Sequence, residues 1–168
     1  MTYKKELPIH FACKSGNCKL VKLLLYDYNC KDEILLKTMD NWLPLHFACD
    51  CGSHFIVREL LRNDPDLNSL EVVTNNNETP LHLACKSGNI ILVSKLLKTP
   101  CCIKQFLLSK TNVKANALHY ACLSGNLQLI QYVASKYVGK LGHAILSMKT
   151  TLKESILHFV CLSGNSKA

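Results

Sequence analysis

One short pattern returns five times along this chain, and no other feature constrains the fold as strongly. It reads Leu-Pro-Ile-His-Phe-Ala-Cys-Lys-Ser-Gly-Asn from Leu7, Leu-Pro-Leu-His-Phe-Ala-Cys-Asp-Cys-Gly-Ser from Leu43, and Thr-Pro-Leu-His-Leu-Ala-Cys-Lys-Ser-Gly-Asn from Thr79. The last two copies are Asn-Ala-Leu-His-Tyr-Ala-Cys-Leu-Ser-Gly-Asn from Asn116 and Ser-Ile-Leu-His-Phe-Val-Cys-Leu-Ser-Gly-Asn from Ser155. The histidines fall at His10, His46, His82, His119 and His158, in steps of 36, 36, 37 and 39 residues. A fixed step of this size marks a stack of supersecondary units, none of which buries its apolar face alone.

Each copy has a physical reading. Thr79, Asn116 and Ser155 are placed to cap a helix, and Pro8, Pro44 and Pro80 sit at a first helical position, where the missing N–H costs nothing. Gly16, Gly52, Gly88, Gly125 and Gly164 follow each histidine by six residues and predict the left-handed end of a two-turn helix. A second helix follows, with Leu20, Val21 and Leu24, then Ile56, Val57 and Leu60, Leu92, Val93 and Leu96, and Leu129, Ile130 and Val133 at helical spacing. Eight residues before each histidine stands a threonine (Thr2, Thr38, Thr74, Thr111, Thr150), and five before it Lys5, Asn41, Asn77, Lys114 or Lys153. These predict an extended finger that turns back through a left-handed residue, a geometry that Asn tolerates better than Lys. Ile34, Leu70, Leu107 and Leu146, twelve residues before a histidine, predict a short extra element anchoring each finger.

Thr79-Pro80-Leu81-His82-Leu83-Ala84-Cys85, followed by Gly88-Asn89 and Leu96-Leu97, resembles the ankyrin repeat, and the resemblance spans essentially the whole chain. The chain departs from the family in its longer period, in a Cys where the motif carries its second alanine, and in Asn or Lys for the usual finger glycine. The resemblance implies an all-α solenoid of stacked helix-turn-helix units with short β-turn fingers. It implies one domain over residues 1–168, with repeats at about 2–37, 38–73, 74–110, 111–149 and a partial 150–168. It further implies a protein-interaction module, a scaffold or adaptor in signalling, that binds other proteins through a concave face and has no catalysis, cofactor or metal of its own. On that face the family pattern places Met39 and Val113 at finger tips, with Lys114 beside Val113, and Asp50, Lys86 and Leu123 on inner helices. Trp42 is the single tryptophan and stands where other repeats have Glu6, Glu78, Ala115 and Glu154. It reads either as a binding anchor or as a ring packed on the neighbouring finger.

The His-x-x-Cys pairs raise two chemical alternatives. A zinc site needs four ligands at about 2.0–2.3 Å from one ion, and helices stacked about 8–10 Å apart do not bring such pairs together easily. A Cys–His nucleophile needs a thiolate of lowered pKa and an orienting third group, and five equivalent copies speak for architecture instead. In the resemblance, the histidine holds the finger turn. Of the ten cysteines, Cys13, Cys49, Cys85, Cys122 and Cys161 share one register and read as small core residues. Cys18, Cys30, Cys51, Cys101 and Cys102 are irregular and expected to be more accessible, and the Cys101-Cys102 pair beside Lys104 is a candidate for redox sensitivity.

The formal charge is +8, and it is uneven: between Thr79 and Lys153 there are ten lysines and no Asp or Glu. That block is either a solvated face or an attraction for an acidic partner. Its rival reading is polyanion or nucleic-acid binding through the lysine-rich C-terminal half, which the lack of arginine and the few aromatics in the block disfavour. No apolar run has the length of a membrane span or a signal peptide, so a soluble, cytoplasmic protein with reduced thiols is expected. Leu157, Phe159 and Leu162 are expected to be partly uncovered, and the chain reads as a piece of a longer protein or one needing a neighbour.

Overall fold

The computed structural model describes residues 5–103, 109–141 and 149–162. Its helices, in chain order, are α1 (Pro8–Lys14), α2 (Cys18–Lys22), α3 (Pro44–Asp50), α4 (His54–Arg62), α5 (Pro80–Lys86), α6 (Ile90–Leu96), α7 (Ala117–Leu123), α8 (Leu127–Leu141) and α9 (Ile156–Leu162). The odd-numbered helices begin as the sequence requires. Proline occupies the first turn of α1, α3 and α5, and the side chains of Thr79 and Asn116 accept amide hydrogen bonds at the starts of α5 and α7. Each inner helix packs against the next, and the even-numbered helices cover them from outside. Among the described residues the architecture is all-α, with a lone antiparallel bridge between Lys149 and Ser155.

The histidines of the first two repeats tie each inner helix to the linker that leads into the next finger. In repeats one and two the N–H of the residue before the helix donates to histidine Nδ1, from Leu7 to His10 at 3.0 Å and from Leu43 to His46 at 3.1 Å. With Nδ1 accepting, the ring proton resides on Nε2. That nitrogen donates to a carbonyl 26 residues downstream, Leu36 for His10 at 3.1 Å and Val72 for His46 at 3.2 Å. Each ring therefore pins its own helix start to the linker entering the next finger. Edge-on aromatic contacts reinforce the step, with Phe47 on His10, Tyr120 on His82 and Phe159 on His119. The bridge needs a neutral imidazole, and burial favours that form: it lowers the His10 pKa and brings His46 and His82 down to about 4.

Glycine is required at the inter-helix turns for two reasons. Gly52 and Gly88 take φ of +74° and +77°, and a Cβ on Gly52 would lie 3.1 Å from Ser87 Oγ of the next repeat. Immediately after the turns at Gly88 and Gly125 an asparagine does two jobs that its place in the repeat did not reveal. Asn89 Oδ1 accepts from the Leu92 N–H at 3.1 Å while its Nδ2 donates to the Gly52 carbonyl at 2.8 Å. Asn126 repeats this with Leu129 at 3.2 Å and Gly88 at 2.8 Å.

The outer helices depart from the expected apolar pattern in the first repeat. Ile56, Leu92 and Leu129 are fully buried, yet their counterpart Leu20 is 39% exposed, and Leu25 instead joins the core. There α2 also relaxes into a π-turn over Leu23–Asp27. The extra elements exist where the structure describes them: Ile34 and Leu70 are buried on 3₁₀ turns at Cys30–Leu35 and Asn68–Leu70. Buried Asp64 caps the second of these, accepting from the Asn68 N–H at 3.1 Å and the Ser69 N–H at 2.8 Å. Leu107, Leu146 and Gly164 lie outside the described residues. Phe159 corrects the expectation of an uncovered end, because it is buried against His119, whereas Leu162 is exposed as anticipated. The side chain of Leu157 is outside the described set.

Two outcomes test these ties. His10, His46 and His82 titrate near 6.5 when unfolded, and burial lowers all three in the fold, His46 and His82 to about 4, so the unfolded state binds more protons in between. Stability is then fully present above about pH 6.5 and falls as pH drops toward 5, while ordinary carboxylates remain ionised. Urea melts across that window should show a falling midpoint, and a flat profile would rule out the neutral bridge. Gly16→Ala should cost about 1–2 kcal/mol for the left-handed backbone alone, since a Cβ there meets nothing, and Gly52→Ala should cost more through its contact with Ser87.

Candidate partner-binding face

The fingers are built from backbone first. Thr38 N–H donates to the Trp42 carbonyl at 2.9 Å and Asn41 N–H returns to the Thr38 carbonyl at 3.0 Å. The same two bonds recur from Thr74, Thr111 and Thr150, which is a three-residue turn closed by a left-handed residue. That residue is Asn41, Asn77, Lys114 or Lys153, with φ between +59° and +61°. Lysine therefore accepts the geometry where glycine is usual. Buried threonine hydroxyls hold the turns from below, accepting the N–H of Trp42, Glu78, Ala115 and Glu154 at 3.1–3.2 Å.

Neighbouring fingers are bonded tip to tip. Asn75 N–H donates to the Asp40 carbonyl at 3.1 Å, Asn112 to Asn76 at 3.0 Å and Thr151 to Val113 at 2.9 Å. Asn75 Nδ2 adds a bond to the Met39 carbonyl at 3.2 Å, and Asn112 Nδ2 one to the Asn75 carbonyl at 2.9 Å. Backbone groups are thereby used up in the row itself, and side chains are what the row presents. Met39 is 57% exposed and Val113 45% exposed, and Lys114 is exposed beside Val113.

Asp50, Lys86 and Leu123 are the last residues of α3, α5 and α7, so they form a row along the inner helices. Asp50 and Lys86 meet directly, with Nζ 3.0 Å from Oδ1. Both remain substantially exposed, so the pair adds little stability and stays available to an outside charge. Leu123 is half-buried against the core. The Trp42 ring packs on its own inner helix, 4.8 Å from Phe47 and 6.0 Å from His46. Its remaining surface lines a cleft of about 200 Å³ with Glu6, Lys14, Thr38, Asp40 and Phe47.

That cleft contains residues that sequence reasoning passed over. Lys14 holds the same register as Asp50 and Lys86, at the end of α1, and could have been found from the alignment of repeats. Leu152 is exposed at the finger position of Val113 and was legible in the same way. Glu78, the counterpart of Trp42, is buried: it accepts from Thr74 Oγ1 at 3.2 Å and from Tyr120 Oη at 2.7 Å. Tryptophan at that position leaves the hydroxyl of Thr38 without such a carboxylate and opens the finger base.

The repeated histidines and cysteines are occupied elsewhere. Both ring nitrogens of His10 and His46 are engaged by backbone. Burial pushes the thiols of Cys13, Cys49 and Cys85 far up and that of Cys122 to about 11, the opposite of an activated nucleophile. Among the described residues no group of three or more His, Cys, Asp or Glu could hold a metal ion. Two cysteine expectations change. Cys102 is buried, with its thiol raised to about 12 by burial, and Cys161 is exposed because nothing in the described residues covers that end of α9. All ten cysteines are free thiols. The described lysines of the basic block are all exposed, but they sit on both sides of the stack. Lys86 ends an inner helix, Lys114 and Lys153 occupy finger turns, Lys95 and Lys136 lie on outer helices, and Lys104 is outside the described residues. No helix among the described residues is long and apolar enough to cross a membrane.

Among curated proteins none matches this chain. The family model described as ankyrin repeats, in three copies, matches residues 9–104, more than half of the chain. Beyond residue 104 the same helix starts and finger turns recur at α7, α9, Thr111 and Thr150. The chain belongs to the ankyrin repeat family.

Proposed function

We propose that this chain is a scaffold or adaptor module that binds a partner protein with its fingers and inner helices. Ankyrin repeats mediate protein–protein interaction. The observation that favours this face is the finger row: its backbone is fixed by bonds between neighbours, while Met39 and Val113 project exposed apolar side chains from it. A rigid platform carrying apolar anchors beside charged groups loses little entropy on binding. Trp42 contributes the exposed edge of its ring, and Asp50, Lys86, Lys114 and Leu123 supply charge and contact around it. The surplus of lysine favours a partner with an acidic surface. The lysines lie on both sides of the stack, not in one stripe, which supports a protein over a nucleic acid as ligand. The high thiol pKa values and backbone-bound histidines support a non-catalytic role, and ten free thiols support residence in a reducing compartment such as the cytosol.

The test is crosslinking capture from lysate with the wild type and a Met39→Asp, Lys86→Glu, Val113→Asp variant. All three side chains are exposed, so the melting temperature should stay within a few degrees. Proteins captured by the wild type should be lost in the variant. Identical captured sets would refute this face, and recovery of nucleic acid alone would replace the protein reading with the polyanion one.

A further inference from the structure

The outer helices carry a second site, set by which side chains meet across each junction. Sixteen residues after the histidine of one repeat and thirteen after that of the next, two outer-helix positions come together. At the first junction these are Tyr26 and Glu59, and Tyr26 Oη donates to Glu59 Oε2 at 3.2 Å across the gap. At the second junction the same positions are Arg62 and Lys95. Two cations cannot pair, and Arg62 turns back to Glu59 on its own helix, 3.1 Å away. The gap between α4 and α6 stays open as a groove of about 270 Å³.

Its walls are sorted by chemistry. Val57, Leu61, Leu92 and Leu96 form an apolar floor, and His54, Arg58, Arg62 and Lys95 surround it, with no carboxylate among the lining residues. Glu59, a buried residue of α4, offsets part of the arginine charge through its contacts with Arg58 and Arg62. Among the described residues Lys95 has no such counterpart. The local field is positive enough that, after partial burial, the charges of Lys95 and Arg58 also hold the His54 imidazole below its ordinary value. The volume is below the usual range for a cofactor-sized ligand and suits one or two apolar side chains.

We propose that this groove is a second docking site, on the face opposite the fingers, for an acidic peptide segment. Such a segment inserts one or two apolar side chains between α4 and α6. Its carboxylates then lie against Arg58, Arg62 and Lys95. The site is independent of the finger face, and an adaptor with both can hold two partners at once.

The probe is a fluorescein-labelled peptide of alternating Glu-Glu and Leu-Leu pairs, followed by fluorescence anisotropy on the full chain. Lys95→Glu gives Arg62 a partner across the gap, as Glu59 gives Tyr26 one. It should therefore weaken binding by about tenfold or more while leaving the melting temperature equal or higher. Replacing the leucines of the peptide by serine should weaken binding similarly, and the Met39→Asp, Lys86→Glu, Val113→Asp variant should bind as the wild type does. Binding unchanged by Lys95→Glu would overturn the proposal. So would binding lost in the finger variant, equal binding of an oligothymidylate or the serine peptide, or no binding up to about 1 mM peptide.

Discussion

A neutral imidazole that joins a helix start to the linker of the next finger is the interaction on which this structure rests. Its Nδ1 closes the start of one helix and its Nε2 fixes the chain that becomes the next finger, as His10 does with Leu7 and Leu36. A helix of seven residues is far too short to persist alone, and the first two inner helices are each held at the first turn by a histidine whose other nitrogen bonds the linker 26 residues on. Helix formation, finger placement and stacking are therefore one event. The buried cysteine three residues on has its thiol chemistry suppressed by burial, as burial also keeps the imidazole neutral.

The same regularity explains how two different surfaces arise from one pattern. On the finger side, backbone bonds between tips consume the polar groups of the main chain, so side chains vary without disturbing the row. On the outer side no backbone ladder links α4 to α6, and the fit of neighbouring helices depends on individual side-chain pairs. Tyr26 with Glu59 makes a closed junction; Arg62 with Lys95 makes an open one. Conserved geometry on one side and pairwise chemistry on the other are both consequences of stacking units that contact chiefly their nearest neighbours.

How far this was legible in the sequence depended on whether a residue's role lay within its repeat or between repeats. Proline, glycine, the capping residues and the left-handed finger position act locally, and their spacing announced them; even Lys114 and Lys153 took the backbone that Asn41 and Asn77 take. Met39 and Val113 were also readable, because a finger tip is exposed wherever it occurs. The roles missed were relational. Leu20 looks like Ile56 in the alignment, yet Leu20 is exposed where Ile56 is buried. Trp42 could not be assigned because its packing partner, Phe47, lies five residues ahead on a different element. Cys102 has no register to mark it as core. The basic groove required knowing that positions sixteen and thirteen residues past successive histidines face one another, which only the stacking geometry reveals.

The asparagine after each turn has a consequence for how the array comes apart. Asn89 and Asn126 start their own outer helices and grip the preceding repeat with the same side chain, so losing the neighbour also uncaps the helix. At the first junction the corresponding residue is Ser53, which caps α4 at 3.4 Å but is too short to do both. Cooperativity along the stack is thus graded, with tightly geared joints in its middle and a looser one at its start. Repeats two, three and four are geared to one another by a side chain that also starts a helix, a coupling that the joint between repeats one and two lacks.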